Sequence, residues 1–197
     1  MFRTGDDWNR IYAEEARPGW DMDGPTPLIG ELLEDLLADH PLAPGARLAV
    51  PGCGFGHDAA ELARRGFRVT AFDVAPLALE GARARHGQTV DWRLGDWFTQ
   101  GEAFDAVFDH TCFVAMEPAR RPDYAEATRR ALVPGGIWLG AAFHDTGDRE
   151  GPPFAIPREA MGELIAGAGF RLLALRDAAR SHPRRAGREF LWTAERA

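Results

Sequence analysis

Three closely spaced glycines separate an apolar strand pattern from a helical one: Gly52, Gly54 and Gly56. A strand, a tight turn and a helix in this order point backbone N–H groups and the positive end of the helix dipole at a ligand. Glycine lets that ligand approach closely because it carries no Cβ. Asp73 ends the next predicted strand, roughly twenty residues after the first glycine, where a carboxylate commonly accepts hydrogen bonds from both hydroxyls of a ribose. These residues predict a site for a nucleotide-like molecule.

The spacing of the glycines narrows the class of nucleotide. Dinucleotide-binding loops follow the pattern G-x-G-x-x-G and place a pyrophosphate at the helix N-terminus. Here the pattern is G-x-G-x-G, and Asp58 at the helix start would repel a pyrophosphate. The loop therefore favours a cofactor without phosphate, of which S-adenosylmethionine is the common example. An ordinary strand-to-helix turn is the plainer alternative, and the position of Asp73 weighs against it.

Two later strand patterns also end on polar residues. Asp96 follows the third strand, where its carboxylate can accept a hydrogen bond from an adenine amino group while the backbone or ring of Trp97 or Phe98 covers the base. Asp109 and His110 follow the fourth strand and are the candidates for a general base if the reaction requires one. For His110 we favour a cofactor contact or a pocket wall, because the sequence shows no partner for proton transfer.

Several motifs resemble those of class I S-adenosylmethionine-dependent methyltransferases, and more narrowly the thiopurine S-methyltransferase and halide/thiol methyltransferase family. The resemblance rests on these segments: Trp20-Asp21-Met22-Asp23-Gly24-Pro25-Thr26-Pro27, Val50-Pro51-Gly52-Cys53-Gly54, Gly95-Asp96-Trp97-Phe98, Phe104-Asp105-Ala106-Val107-Phe108-Asp109, Leu132-Val133-Pro134-Gly135-Gly136 and Gly151-Pro152-Pro153-Phe154. It covers nearly the whole chain. The family often has a tryptophan where Tyr12 stands, and commonly a tyrosine where His110 stands.

The resemblance implies that residues 1–26 form a lid over the cofactor, with aromatic residues at Trp8, Tyr12 and Trp20. Aromatic faces attract a sulfonium cation without strong hydration, whereas plain core packing is the alternative role. The expected cofactor-binding residues are Trp8, Tyr12, Trp20, Gly52, Gly54, Asp73, Asp96, Trp97 and His110. We predict no metal site, because the cysteines and histidines lack metal-ligand spacing.

The alternation of strand and helix patterns predicts one α/β domain over residues 1–197, with a mainly parallel sheet covered on both faces. The resemblance implies a Rossmann-like, doubly wound sheet of seven strands with the last one antiparallel. A helix is predicted over residues 27–40, with leucines buried and Glu31, Glu34 and Asp35 outside. We expect residues 144–153 to form a mobile loop near the substrate entrance, and the arginine-rich connection before the last strand to be exposed.

The composition excludes several classes of protein. With 197 residues, 45% of them apolar, the chain is long enough for one full core. A net charge of −7 disfavours nucleic acid as a partner. Two cysteines form no disulfide framework, and no leader or membrane-length apolar run is evident. We expect a cytoplasmic protein that does not bind membranes, and the sequence does not predict its oligomeric state.

Together these features predict an enzyme that transfers a methyl group by in-line displacement from S-adenosylmethionine to a small soft nucleophile. The nucleophile would be a thiol or thiolate, or else a halide or chalcogen anion. Placement of the reactants is the main requirement, so the chemistry needs no catalytic triad.

Two alternatives stay open. One is methylation of an oxygen or nitrogen, which requires a base such as Asp109 or His110. The other is a non-catalytic S-adenosylmethionine-binding module.

Overall fold

The computed structural model describes residues 4–147 and 151–197, without the side chains of residues 35 and 36, and has a seven-stranded sheet at its centre. The strands are β1 Arg47–Pro51, β2 Arg68–Asp73, β3 Asp91–Leu94, β4 Phe104–His110, β5 Leu132–Phe143, β6 Phe170–Asp177 and β7 Glu189–Arg196. Their order is β3-β2-β1-β4-β5-β7-β6. The first five pair in parallel, whereas β7 runs antiparallel to both β5 and β6. The predicted doubly wound sheet with an antiparallel last strand is confirmed.

Helices cover both faces of this sheet. They are α1 Gly5–Glu14, α2 Leu28–Gly30, α3 His57–Arg64, α4 Pro76–His86, α5 Cys112–Ala115, α6 Arg121–Ala131 and α7 Arg158–Gly167. The apolar sides of α2, α3 and α4 pack on one face, and those of α5, α6 and α7 pack on the other. Burial on both faces explains why the parallel strands read as continuous apolar runs. Among the described residues, no helix has the length and apolarity needed to cross a membrane.

The helix predicted over residues 27–40 is shorter and more irregular than expected. After α2 it continues as a π-helix, Glu31–Leu36. Glu31 is completely buried, so its predicted position outside is wrong. Its carboxylate accepts hydrogen bonds from the backbone N–H groups of Ala179 and Arg180 and lies 2.5 Å from Arg176 Nη1. The end of β6 and the segment after it supply these partners, which a buried carboxylate requires.

The order of the strands decides where a ligand can bind. β1 and β4 lie side by side although β2 and β3 separate them in the chain. The connections after these two strands diverge to opposite faces and open a crevice at their carboxyl ends. The glycine loop follows β1 at this edge, and His110 ends β4 beside it. His144 and Asp145 follow β5 and are exposed, while residues 148–150 of the predicted loop lie outside the described residues.

Candidate active site

The glycine loop has the backbone conformation that the sequence predicts. Gly52 and Gly54 have φ angles of 58° and 55°, in the left-handed region that side chains with a Cβ rarely adopt. A Cβ at Gly52 would lie 2.7 Å from Sγ of Cys112, and one at Gly54 would lie 3.1 Å from the hydroxyl oxygen of Tyr12. The loop is therefore a narrow cradle between the start of α5 and the N-terminal segment.

Asp73 lies at the end of β2, directly beside the cradle. Its Oδ2 accepts a hydrogen bond of 2.9 Å from the Gly54 N–H, and its Oδ1 accepts one of 2.9 Å from the Ala75 N–H. Burial raises the pKa of Asp73. A carboxylate has about four lone-pair positions, so each oxygen can accept a further hydrogen bond from a ribose hydroxyl. The carboxylate thus both shapes the loop and keeps capacity for a ligand.

The structure brings the three predicted lid aromatics together above this loop. The ring centroid of Trp20 lies 5.5 Å from that of Trp8 and 5.7 Å from that of Tyr12, both edge to face. Tyr12 in turn lies 5.1 Å from Phe55 of the glycine loop. Phe55 was not among the predicted site residues, although its place between two loop glycines could have indicated it. These four rings form an aromatic cluster against the cradle.

Polar contacts hold the N-terminal segment in place. Asn9 Oδ1 accepts a hydrogen bond of 2.9 Å from the Leu77 N–H at the start of α4. The Thr26 N–H donates to Asp58 Oδ1 at 2.7 Å. None of the ten residues of α1, all of them described, is fully buried. The segment consequently lies on the surface of the domain and is not part of its core.

Asp96 and Trp97 occupy different environments. Asp96 is exposed, and its Oδ1 accepts a hydrogen bond of 3.0 Å from the Phe98 N–H. The ring of Trp97 is buried and donates through Nε1 to Thr128 Oγ1 at 3.0 Å. The expectation that this ring covers a base is therefore wrong, because it packs in the core against Phe72. Trp97 can contact an adenine only through its backbone.

A buried network of four charged or titratable groups lies at the end of β4. His110 Nδ1 is 2.7 Å from Asp58 Oδ2, and His110 Nε2 is 2.7 Å from Arg185 Nη1. Arg185 Nη1 also lies 3.4 Å from Glu189 Oε1. An arginine only donates hydrogen bonds, so Nε2 is the acceptor and Nδ1 carries the hydrogen that Asp58 accepts. We call Asp58, His110, Arg185 and Glu189 the acid–base cluster.

The position of Arg185 differs from another expectation of the sequence analysis. The connection between β6 and β7 was predicted to be exposed, yet the Arg185 side chain is only 7% exposed, whereas the neighbouring Arg184 is at the surface. Arg185 Nη2 donates to the backbone oxygen of Trp20 at 2.8 Å. The buried carboxylate of Glu189 and the partly buried one of Asp58 explain its position, since buried charges require opposite charges nearby.

The pKa values in the cluster follow from this pairing. Burial alone lowers the pKa of His110, but the Asp58 carboxylate raises it more, so it lies above its ordinary value. Burial raises the pKa of Asp58, and its interaction with His110 outweighs this and leaves it lowered. The pKa of Glu189 is likewise lowered by His110 and Arg185 against the effect of burial. Both carboxylates are therefore ionised at neutral pH.

Asp109 is separate from this cluster. Its side chain is completely buried and accepts a hydrogen bond of 2.5 Å from the Tyr124 hydroxyl and one of 3.1 Å from the Phe113 N–H. Burial raises the pKa of Asp109 to about 6. Because both oxygens face α5 and α6, the contacts of Asp109 are structural. Of the two candidate bases, only His110 lies in the network with the glycine-loop helix and the N-terminal segment.

Comparison with known proteins gives a consistent assignment. The sequence model of the thiopurine S-methyltransferase (TPMT) family matches residues 3–196. Thiocyanate methyltransferase 1 of Arabidopsis thaliana is 31% identical over 191 residues, which cover 93% of this chain and 82% of the relative. Probable thiol methyltransferase 2 of the same plant is 29% identical over 177 residues, which cover 86% of this chain and 76% of the relative. Thiopurine S-methyltransferase of Vibrio atlanticus is 28% identical over 154 residues, covering 68% and 71%.

Solved structures share the fold. A protein from work on the conversion of a disulfide bond into a thioacetal group during echinomycin biosynthesis superimposes with a TM-score of 0.79 at 22% identity, covering 98% of this chain and 92% of the other. The 1,6-didemethyltoxoflavin-N1-methyltransferase of Burkholderia thailandensis, solved with S-adenosylhomocysteine, gives a TM-score of 0.74 at 22% identity. The superposition covers 98% of this chain and 87% of the other.

The residues of this chain fit the cofactor that the family uses. At Gly54 the cradle has space that a Cβ would fill, and at Asp73 the carboxylate can accept further hydrogen bonds. Both features suit an adenosine without phosphate. The match to the family model spans almost the whole chain, and relatives of the same family cover most of it. The cofactor is accordingly S-adenosyl-L-methionine, and the chain is a methyltransferase that belongs to the thiopurine S-methyltransferase family.

Proposed function

We propose that the protein methylates a small soft nucleophile, in the first place a thiol or thiolate, by in-line displacement. Thiocyanate, halide and chalcogen anions are the related acceptors. Three similar proteins are named for thiocyanate, thiol and thiopurine substrates, which supports a sulfur acceptor. The observation that carries the proposal is the aromatic cluster of Trp8, Tyr12, Trp20 and Phe55 beside the glycine cradle, since sulfur interacts favourably with aromatic rings.

S-adenosylmethionine supplies a methyl group that its sulfonium already activates. The chain then has to bind the cofactor and the acceptor, orient them toward each other and exclude water. We assign the backbone of Gly52 and Gly54 to the cradle, Asp73 to the ribose hydroxyls and Asp96 to the adenine amino group. Trp8, Tyr12 and Trp20 would face the sulfonium, and His110 would face the methyl acceptor. Correct alignment of the two reactants can contribute several kcal/mol, on the order of 7 or more in favourable cases.

The lid is part of this proposal. We assign it to residues 1–26, of which residues 1–3 lie outside the described residues. Both of its halves are tied to the site, because Tyr12 lies on Phe55 while Trp20 and Thr26 are hydrogen-bonded to Arg185 and Asp58. Opening these contacts would admit cofactor and acceptor, and closing them would exclude water from the reacting groups.

The test is the release of S-adenosylhomocysteine, measured by mass spectrometry. The acceptors are ethanethiol, a thiopurine, thiocyanate, iodide and tellurite, and the buried-carboxylate variant Asp73→Ala is the control. We expect acceptor-dependent release with at least one of the soft nucleophiles, and strongly reduced release in the variant. Bound cofactor without turnover on this panel, followed by turnover on oxygen or nitrogen acceptors, would contradict the proposal. Silence on all acceptors would favour the non-catalytic module.

A further inference from the structure

We propose that His110 is the general base that removes the proton from a neutral thiol acceptor, and that Asp58 is the positioning residue that orients its imidazole. The inference rests on the proposed function and deepens it. It assigns the acceptor to a class, namely thiols that still carry their proton when they bind. Anions that are ionised at every relevant pH, such as thiocyanate and iodide, would not use this pair.

The hydrogen bonds of His110 place its lone pair on Nε2, the nitrogen that would take the proton of the acceptor. Nδ1–H donates to Asp58 Oδ2 at 2.7 Å, so the lone pair is on Nε2. Arg185 Nη1 donates a hydrogen bond of 2.7 Å to that lone pair. Arg185 therefore has to move away from Nε2, toward Glu189 Oε1 at 3.4 Å, before Nε2 can take the proton of a thiol. A carboxylate behind Nδ1 fixes both the tautomer and the ring orientation, and it increases the basicity of Nε2.

The charges around His110 favour the uptake of one proton. Asp58 on α3 and Glu189 at the start of β7 face it with two negative charges, and Arg185 from the β6–β7 connection offers one positive charge. The cluster is therefore negative by one charge when His110 is neutral and balanced when His110 is protonated. A neutral thiol can enter this environment without repulsion and leave its proton there, whereas an anion would meet the negative charge.

An acceptor for the resulting Nε2–H is also in place. Glu189 Oε1 lies 3.8 Å from His110 Nε2, just beyond a hydrogen bond. The side chain of Glu189 is only 2% exposed. Its Oε2 lacks a hydrogen bond of normal geometry among the described residues, and the Ser181 hydroxyl lies close enough to lower the pKa of Glu189. Buried carboxylate oxygens without a partner are rare in folded proteins. Displacement of the Arg185 cation from the protonated imidazole would leave Nε2–H facing Glu189 Oε1, with the ring still held by Asp58.

The position of His110 in the fold agrees with this role. It ends β4 at the point where the order of the sheet reverses, and its partner Asp58 lies in the first turn of the helix that follows the glycine cradle. Thr111, the next residue, has a φ angle of 74°, a strained conformation for a β-branched residue. Such strain concentrates at functional sites. Arg185 further links His110 to Trp20 of the lid.

The proposed step is a balanced proton transfer. The S–H bond of the acceptor breaks, its electron pair stays on sulfur, and the proton forms a bond to Nε2 of His110. The thiolate then uses that pair to form its bond to the methyl carbon, while the sulfonium keeps the electron pair of the broken carbon–sulfur bond. His110 later releases the proton to water, so no oxidant or reductant is required.

The experiment compares two acceptors in the same enzyme preparations. The values of kcat/KM for ethanethiol and for thiocyanate are measured from pH 6 to pH 9 in the wild type, in His110→Gln and in His144→Gln, the last being an exposed histidine after β5. We expect His110→Gln to lower the ratio of the ethanethiol value to the thiocyanate value by about 100-fold at pH 7. We expect no change of this ratio in His144→Gln.

The pH profile separates a base from a merely structural residue. In the wild type, kcat/KM for ethanethiol should rise through the pKa of His110, above its ordinary value, and then level off. In His110→Gln it should rise further, toward the pKa of the thiol itself. In Asp58→Asn the loss of the carboxylate should shift the wild-type inflection to lower pH. The His110 titration, followed by NMR of the ¹⁵N-labelled imidazole without any acceptor, should shift in the same direction.

Three results would overturn the inference. They are an equal loss for both acceptors in His110→Gln, an unchanged ethanethiol profile, and an imidazole titration that Asp58→Asn does not move. Absence of turnover by the wild type on both acceptors would instead overturn the proposed function, together with the inference that rests on it. Turnover on thiocyanate but not on ethanethiol by the wild type would contradict the inference alone.

Discussion

The crevice has two sides, to which we assign the cofactor and the methyl acceptor, and they are built in different ways. On the cofactor side, the Gly54 N–H and the Asp73 carboxylate that bind each other are 19 residues apart, within one strand–helix–strand unit. On the acceptor side, His110 is 52 residues from Asp58 and 75 residues from Arg185. The first site depends on backbone conformation and the second on side chains from distant segments. Local patterns in a sequence can therefore indicate the first, but not the second.

The largest expected effect concerns the buried cation of the acceptor side. Arg185→Ala should lower the free energy of unfolding by about 4 kcal/mol, because it leaves Glu189 buried without its cation. The neighbouring Arg184→Ala is the matched control. Arg184 is exposed, so its loss should change the free energy of unfolding by less than about 0.5 kcal/mol. Urea denaturation measures both variants, and equal effects would refute the assignment of Arg185.

The next effect tests the backbone of the cofactor side. Gly56 has a φ angle of 78°, and a Cβ there would lie 2.6 Å from Cζ3 of the buried Trp92. Gly56→Ala should lower the free energy of unfolding by about 3 kcal/mol through overpacking and backbone strain. Gly45 has a similar φ of 72° with no atom within 4 Å of its Cβ position. Gly45→Ala should therefore cost only about 1 kcal/mol. The same cost for both would exclude a steric role for Trp92.

The third prediction concerns pH and Asp109. Its pKa of about 6 in the folded state exceeds the ordinary 3.8. Between these values the folded protein keeps a proton that the unfolded chain releases, so this group's contribution to stability falls as pH rises. Asp109→Asn has no ionisable group at this position and therefore lacks this pH-dependent contribution to stability. The free energy of unfolding of the wild type relative to the variant should therefore be about 2–3 kcal/mol higher at pH 4 than at pH 7.

A matched acid gives the control for this experiment. Asp105 lies on the same strand, nearer the surface, and accepts a hydrogen bond from the Arg47 N–H. Burial raises the pKa of Asp105, but its bonds to Arg47 lower it more. Asp105→Asn should consequently change the pH dependence of stability in the opposite direction and by a smaller amount. A flat difference between wild type and Asp109→Asn would show that Asp109 is ionised in the fold.

The smallest effect concerns affinity. Asp73→Ala should weaken the binding of S-adenosylhomocysteine about 30-fold, or about 2 kcal/mol, because charge-assisted hydrogen bonds to the ribose are lost. Isothermal titration calorimetry measures the dissociation constant. The control is Asp39→Ala, an exposed acid far from the crevice in the chain. An unchanged dissociation constant for Asp73→Ala would remove this residue from the cofactor site.

The sequence predicted what depends on local pattern. The glycine turn and the strand ending at Asp73 agree with the structure, because strand periodicity and glycine dihedrals act over a few residues. The seven-stranded sheet with its antiparallel last strand came from the family resemblance. The resemblance also predicted a lid with Trp8, Tyr12 and Trp20, and the structure shows that these rings lie together and that Phe55 joins them.

Buried charges were the part that the sequence did not predict. Glu31 and Arg185 were expected at the surface because charged residues usually lie there, and Asp58 was considered only for its repulsion of phosphate. Each lies inside the fold, wholly or in part, because a distant segment supplies its partner: Arg176 for Glu31, the Trp20 backbone for Arg185 and His110 for Asp58. The Trp97 ring was misplaced for the same reason, since Thr128 of α6 accepts its N–H. No local rule contains these long-range pairs.

The most direct test of the account is a crystal structure of the protein with S-adenosylhomocysteine and a thioether product such as ethyl methyl sulfide. We predict the ribose hydroxyls on Asp73 and the adenosine along the glycine cradle. The product sulfur should lie within about 4 Å of the aromatic cluster and on the side of His110. A cofactor away from Asp73, or a product separated from His110 by the lid, would contradict the account.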